Sequence, residues 1–277
     1  MSPASIEGHF LGEPGQRIFV LRRPAQGTAR GCVLLVPPFA EEMNKSRRML
    51  SDVGAQLAQQ GYDILLPDLY GTGDSDGDFG DADWVRWRQD LATTAAWSAK
   101  QGRPVNHLLA VRLGCGLAAD ALAHGELGPM RASVLWQPVF DGERLLNQFL
   151  RLRVAASMMD GDRKETIVSL RAEFAAGRSV EVAGYALSPQ LVAGLDSLKN
   201  PSSVPDGFGR AHWMEVVREA GAPLPQASAR IAEAVRANGV SAEILCVAGE
   251  PFWSSTEIVR ISELVEATVN ALAAEQA

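Results

Sequence analysis

Short, wholly apolar runs alternate with helical stretches from about Gly31 onward, and this alternation narrows the fold more than any other feature of the chain. Gly31 to Val36 (GCVLLV) is such a run, ended by Pro37-Pro38. A strand apolar on both sides belongs in a parallel sheet covered by helices on both faces. A helix over about Ser46 to Gln60 follows, with Met49, Leu50, Val53 and Leu57 on one face and Gly61 as its stop. Tyr62 to Leu66 (YDILL) reads as the next strand, and Asp83 as the cap of a helix carrying Trp84, Trp87, Leu91 and Ala95 at helical spacing. Val105 to Val111 is a third strand, Gly114 to His124 a small-residue helix, and Ala132 to Trp136 a fourth strand. Strands separated by helices of this length build right-handed βαβ units and a mostly parallel, doubly wound sheet. Before them, Ile6 to Leu11 and Arg17 to Arg22 read as an antiparallel lead-in pair.

The rhythm breaks after Pro138. Residues 141–205 read as helices (about Glu143 to Met158, Asp162 to Ala176, and a third opened by Ser188-Pro189) without strong strands between them. Strands return at Ala211 to Val217 and Ala242 to Val247, separated by a helix around Ala227 to Ala237 and followed by one from about Ser255 to Ala274. The organisation expected is an α/β core formed by residues 1–140 and 206–277, with 141–205 inserted as a helical cap. The last residues, ALAAEQA, read as a frayed end.

Charge and composition exclude several classes of function. Lys+Arg of 26 against Asp+Glu of 33 makes the chain acidic, which argues against a nucleic-acid partner. No charge-free apolar run approaches the ~20 residues of a membrane span. The opening MSPASIEGHF lacks the basic and apolar regions of a cleaved export signal. Cys32, Cys115 and Cys246 stand singly with no CxxC, as buried thiols of a reducing compartment would. A cytoplasmic location is expected, with no metal and no cofactor. A homodimer is compatible with the sequence.

Several stretches carry a family resemblance. PDLYGTGDSDG, after the second parallel strand, looks like the D-x-x-G-x-G-x-S loop of α/β-hydrolases, and the order of elements resembles theirs. LLVPPFAEEMNKSRRM (34–49), LLPDLYGTGDSDGDF (65–79), LLAVRLGCGLAA (108–119), LWQPVFDGERLLNQFLRLR (135–153) and GEPFW (249–253) look closer still to the exosortase A system-associated hydrolase 2 family. The resemblance implies an α/β-hydrolase fold in a bacterial cytoplasmic protein linked to exosortase-type surface-protein sorting and exopolysaccharide production. It also implies a nucleophile elbow, small-x-nucleophile-x-small, between a strand and a helix, where backbone N–H groups stabilise an oxyanion.

The segment matching that elbow is Ala110-Val111-Arg112-Leu113-Gly114. Its small flanks are in place, but the centre is Arg112, whose guanidinium stays protonated and has no lone pair with which to attack a carbonyl. The triad histidine, which in this fold follows the last strand, is replaced by Gly249-Glu250-Pro251-Phe252-Trp253. His9, His107, His124 and His212 all fall elsewhere, and the acid position after Val217 offers only Glu219. Cys115 lies near the same helix start, but Leu113 and Leu117 at its ±2 positions spoil the elbow in that register.

A cation at a helix N-terminus opposes the macrodipole, and leaving it buried and unpaired costs several kcal/mol more. Two offsets are open for Arg112. One is a carboxylate on the same rim: Glu41 or Glu42 after the first parallel strand, or Glu250 after the last. The other is an anionic ligand, a small-molecule or an acyl- or glycan-linked ligand with an acidic group. Arg112 and the Leu113 and Gly114 N–H groups would hold its acid, with Trp136, Gln137, Phe252 and Trp253 as walls and Asp68 and Tyr70 nearby. A hydrolase or acyltransferase alternative has Glu41 or Glu42 activate water, with Arg112 and the amides of Phe39, Ala40 and Leu113 at the oxyanion. The segment Gln148-Phe149-Leu150-Arg151-Leu152-Arg153 is amphipathic and basic, fit either for solvent or for an anionic substrate or partner.

Overall fold

Two antiparallel strands, β1 (Glu7–Leu11) and β2 (Ile18–Arg23), lead into a sheet whose other strands are β3 (Gly31–Val36), β4 (Tyr62–Asp68), β5 (His107–Val111), β6 (Ala132–Trp136), β9 (Arg210–Val217) and β10 (Ala242–Ala248). The structure is a computed structural model and describes residues 6–160, 164–198, 207–237 and 242–274. The eight strands lie in the order β1-β2-β4-β3-β5-β6-β9-β10, and every pairing from β4 to β10 is parallel. All five residues of β5 and of β6 are buried, as their unbroken apolar sequences require when helices cover both faces.

One face packs against α1 (Glu41–Gln59) and α8 (Ser262–Ala273), with Met49, Leu50, Val53 and Leu57 meeting Leu264, Val265 and Leu272. The other face carries α2 (Trp84–Lys100), α3 (Leu113–Ala123) and α7 (Gln226–Ala237). Asp83 caps α2 as its sequence predicts, its side chain accepting from the Arg86 N–H at 2.8 Å. α1 starts five residues earlier than its periodicity suggests. Ala40 turns the chain sharply with φ 50° and ψ −127°, so the helix begins at once, and Glu41 and Glu42 complement the dipole of its first turn.

Between β6 and β9 the chain forms α4 (Gly142–Asp160), α5 (Ile167–Ala175), a hairpin of β7 (Val180–Val182) and β8 (Tyr185–Leu187), and α6 (Pro189–Ser197). The hairpin corrects the helix-only expectation for this stretch: strands of three residues are too short to show a period, and they turn through Ala183 and Gly184 at φ 50° and 84°. Of the helix expected from Asp162, the described part runs from Ile167 to Ala175; Asp162 lies outside the described residues. Ser188 caps α6 ahead of Pro189, accepting from the Leu191 N–H at 3.0 Å. α6 crosses α2 at Gly194, where any side chain would collide with Trp84. The last helix begins at Ser262 and not near Ser255, and of the tail expected to fray, residues 275–277 lie outside the described ones.

Candidate functional site

Three adjacent strands leave the sheet at one rim through residues with positive φ: Ala40 after β3 (50°), Arg112 after β5 (53°) and Gln137 after β6 (45°). For residues with a Cβ such backbone costs of order 1–3 kcal/mol each and persists only where the surroundings impose it. At Arg112 they do. Its N–H donates to the Trp136 carbonyl at 2.9 Å, while its carbonyl accepts from Cys115 at 3.0 Å and Val139 at 3.1 Å. A Cβ on Gly114 would lie 2.6 Å from the carbonyl oxygens of Val36 and Pro37, so the corner has no room for a side chain there. Leu113 and Gly114 are the first residues of α3, whose leading N–H groups have no acceptor within the helix.

The side chain of Arg112 is held from two directions. Its Nε donates to both Glu42 carboxylate oxygens at 3.2 Å and its Nη2 to Oε1 at 2.9 Å. The guanidinium carbon also sits 5.1 Å from the Trp253 ring centroid, in cation–π range. The pair is largely withdrawn from water, with side-chain exposures of 15% for Arg112 and 21% for Glu42. Of the three acids expected on this rim, Glu42 alone meets the guanidinium. Glu41 points to the β7–β8 hairpin, accepting from the Tyr185 hydroxyl at 3.1 Å, and Glu250 is exposed. Burial and the neighbouring Glu41 push the Tyr185 hydroxyl up to about 12.

The other expected site residues divide. Trp136 and Phe252 are core and not walls: they are 0% and 1% exposed, packed edge to face, and the Trp136 indole N–H is spent on Thr268 Oγ1 at 2.9 Å. Of the aromatic group, Trp253 touches Arg112. Asp68 organises its own loop, accepting from the Asp74 N–H at 2.9 Å and from Arg47 at 3.3 Å, and burial raises its pKa. Tyr70 faces away, under the Arg86 guanidinium and toward the Gly15 carbonyl, because its backbone N–H is anchored on Asp90. Phe39, Ala40 and Leu113 line an apolar space of about 340 Å³ with Pro38, Met43 and Trp87.

Gln137 and Arg112 border a separate, more polar cleft of about 580 Å³ between α4 and α7, shared with Arg144, Gln148 and Ser228. Beneath it lies Glu215, a residue of β9 that the sequence reading passed over. Glu215 is 1% exposed, and its carboxylate accepts from Gln137 Nε2 and Trp213 Nε1, each at 2.9 Å, and from Ser228 Oγ at 2.5 Å. The signal was one acid inside an otherwise buried strand, RAHWMEVV, where a carboxylate has to find several donors.

No histidine reaches the rim. His107 opens β5 and His212 is the third residue of β9, both toward the opposite end of the sheet, His124 follows α3 as its cap, and His9 lies in β1 against Trp97. Burial lowers the His107 pKa to about 4. The Cys115 thiol is fully buried 3.3 Å from the Ala110 carbonyl, and burial drives its pKa far upward, which removes its nucleophilicity. Glu219 is exposed. Among the described residues no group of three or more His, Cys, Asp or Glu could hold a metal ion, and no helix is long and apolar enough to cross a membrane.

Est1E from Butyrivibrio proteoclasticus superposes on this chain with a TM-score of 0.67 at 11% identity, covering 97% of this chain and 98% of its own. A highly thermostable carboxyl esterase from Bacillus coagulans does so with a TM-score of 0.65 at 12% identity over 98% of each chain. The chain has the α/β-hydrolase fold. An α/β serine hydrolase homologue from Coxiella burnetii is also similar, with a TM-score of 0.57 at 13% identity over 96% of this chain and 98% of that one. In sequence, residues 19–115 match the X-Pro dipeptidyl-peptidase (S15 family), a stretch that runs from β2 through the Arg112 corner. No curated protein matches the chain. In α/β-hydrolases a sharp strand-to-helix turn presents the nucleophile; in this chain the turn between β5 and α3 carries Arg112.

Proposed function

We propose that this chain is a non-hydrolytic α/β-hydrolase-fold protein that binds a carboxylate- or phosphate-bearing ligand in the cleft beside Arg112. The family resemblance of its motifs supports a cytoplasmic role in the exosortase-type setting of surface-protein sorting and exopolysaccharide production, with an acyl- or glycan-linked ligand roofed by the 141–205 insertion. The observation that carries this reading is the Arg112–Glu42 pair at the elbow. Acyl-enzyme chemistry needs a nucleophile and a base; here the first is a guanidinium and no imidazole is near. Glu42 holds the Nε and Nη2 edge of Arg112. The Nη1 edge and the first N–H groups of α3 remain for a ligand's acid.

Thermal unfolding with succinate, citrate or inorganic phosphate tests it. A ligand at a hundred times its Kd stabilises by about 2.7 kcal/mol, worth several degrees in Tm for a chain of this size. Arg112→Ser should abolish the shift relative to its own ligand-free Tm. A shift that survives the substitution, or none with any anion, refutes the reading.

A second reading keeps catalysis, and the retained elbow supports it: the strained corners at Ala40 and Arg112 and the open N–H groups of α3 outlast the hydroxyl they usually serve. Glu42 would then activate water, with Arg112 and the Phe39, Ala40 and Leu113 amides receiving the oxyanion. The guanidinium against Glu42 works in the other direction, because an adjacent cation makes a carboxylate a weaker base. Turnover of activated esters or thioesters that Glu42→Gln abolishes would decide for catalysis.

A further inference from the structure

Arg144, Asn147, Gln148 and Arg151 follow the i, i+3, i+4, i+7 spacing of one helix face. α4 turns that face outward while sending Leu145, Leu146 and Leu150 into the core. These four residues, together with the carboxylates of Asp141 and Glu143, line a groove of about 710 Å³ that shares Asp141, Arg144 and Gln148 with the 580 Å³ cleft at Arg112. The two spaces therefore adjoin along α4, from the elbow outward. Nearby arginines are ion-paired: Arg112 with Glu42, Arg153 with Glu165, Arg171 with Asp196. Among the described residues, Arg144 and Arg151 meet no carboxylate. The Asp141 carboxylate is engaged at the start of α4, accepting from the Arg144 backbone N–H at 2.8 Å. Seven residues of helix separate the two free guanidiniums, about 10.5 Å of axial rise. Between them on that face stand the uncharged Asn147 and Gln148, and Ser228 on the facing helix lines the inner cleft.

We propose that this channel binds an extended dianion. One acid group sits at Arg112 and Arg144, a second at Arg151, and a chain of hydroxyls or amides between them hydrogen-bonds Gln148 and Ser228. The inference rests on the Arg112 reading for its inner end and adds the outer one. Two chemical sources share the pattern, a diuronate and a phosphopantothenate-type chain.

Calorimetric titration at low salt compares galacturonate with digalacturonate, and pantothenate with 4′-phosphopantothenate. In the pair that matches, the longer acid should bind at least tenfold tighter, about 1.4 kcal/mol, and the gain should fade with added salt. Arg151→Gln should erase the gain and leave the short acid's affinity unchanged. Arg151 is exposed, so its removal should not disturb folding. Equal affinities within both pairs, or a gain that survives Arg151→Gln, overturns the proposal. A gain that survives Arg112→Ser refutes the inner-end reading alone, and no binding by any of the four acids refutes both.

Discussion

Replacing Glu42 by Gln tests whether the elbow is locked. The substitution keeps the side chain's shape but leaves the Arg112 guanidinium without its counter-charge in a site where it is 15% exposed. Breaking a fully buried pair from one side costs about 3–5 kcal/mol, and a charged hydrogen bond contributes about 1.5–3 kcal/mol. Residual solvent access and the Trp253 ring, which still holds the cation by about 0.5–1 kcal/mol, reduce that to about 1.5–3 kcal/mol. For a chain of this length the Tm should fall by roughly 3–10 °C. Thermal unfolding of wild type, Glu42→Gln, Arg112→Gln and the double variant completes a cycle, whose coupling should be about 1–2 kcal/mol. A coupling under about 0.5 kcal/mol, the level of an exposed pair, would refute the argument that this contact holds the corner shut.

Installing a hydroxyl by Arg112→Ser should leave activated-ester turnover at background, since the four histidines of the chain all sit away from the rim; turnover a hundredfold above background would reveal a base. Gly114→Ala should cost about 2–4 kcal/mol, read as a lower Tm, because its methyl would press on two carbonyl oxygens at 2.6 Å. His107 is buried neutral with its pKa lowered to about 4, so the unfolded chain takes up its proton first. Its contribution to stability should be lost as pH falls from about 6.5 toward 4. Asp90, raised to about 6 by burial, titrates with the opposite sign in the same window, so the measurement is the difference between wild-type and His107→Asn stability curves. A flat difference refutes the burial argument.

The sheet was legible in the sequence because its strands are covered on both faces and their residues are uniformly apolar; β6 runs from Ala132 to Trp136 as read. The elbow was legible too, since its sterics dictate small residues at Ala110 and Gly114. What escaped depends on contacts distant in sequence. GCVLLV says that a rim follows but not which of two adjacent glutamates turns toward a residue 70 positions on. Trp136 and Phe252 carry the same residue types whether they wall a cleft or fill a core, and their packing on each other, with the Trp136 indole bonded to Thr268, decided it. Glu215 was a lone acid without visible partners until Gln137, Trp213 and Ser228 came together around it. The β7–β8 hairpin has strands too brief for any alternation to register.

The hydrogen bond from Tyr185 to Glu41 gives the insertion a mechanical hold on the rim. Glu41 and Glu42 are consecutive residues in one turn of a rigid helix, the first tethered to the hairpin at 3.1 Å and the second clasping the elbow cation. Lifting the hairpin has to snap the phenol tether first, and any recoil of that turn is felt next door by the counter-ion. The hairpin and the carboxylate facing Arg112 are thereby joined through a single helical turn.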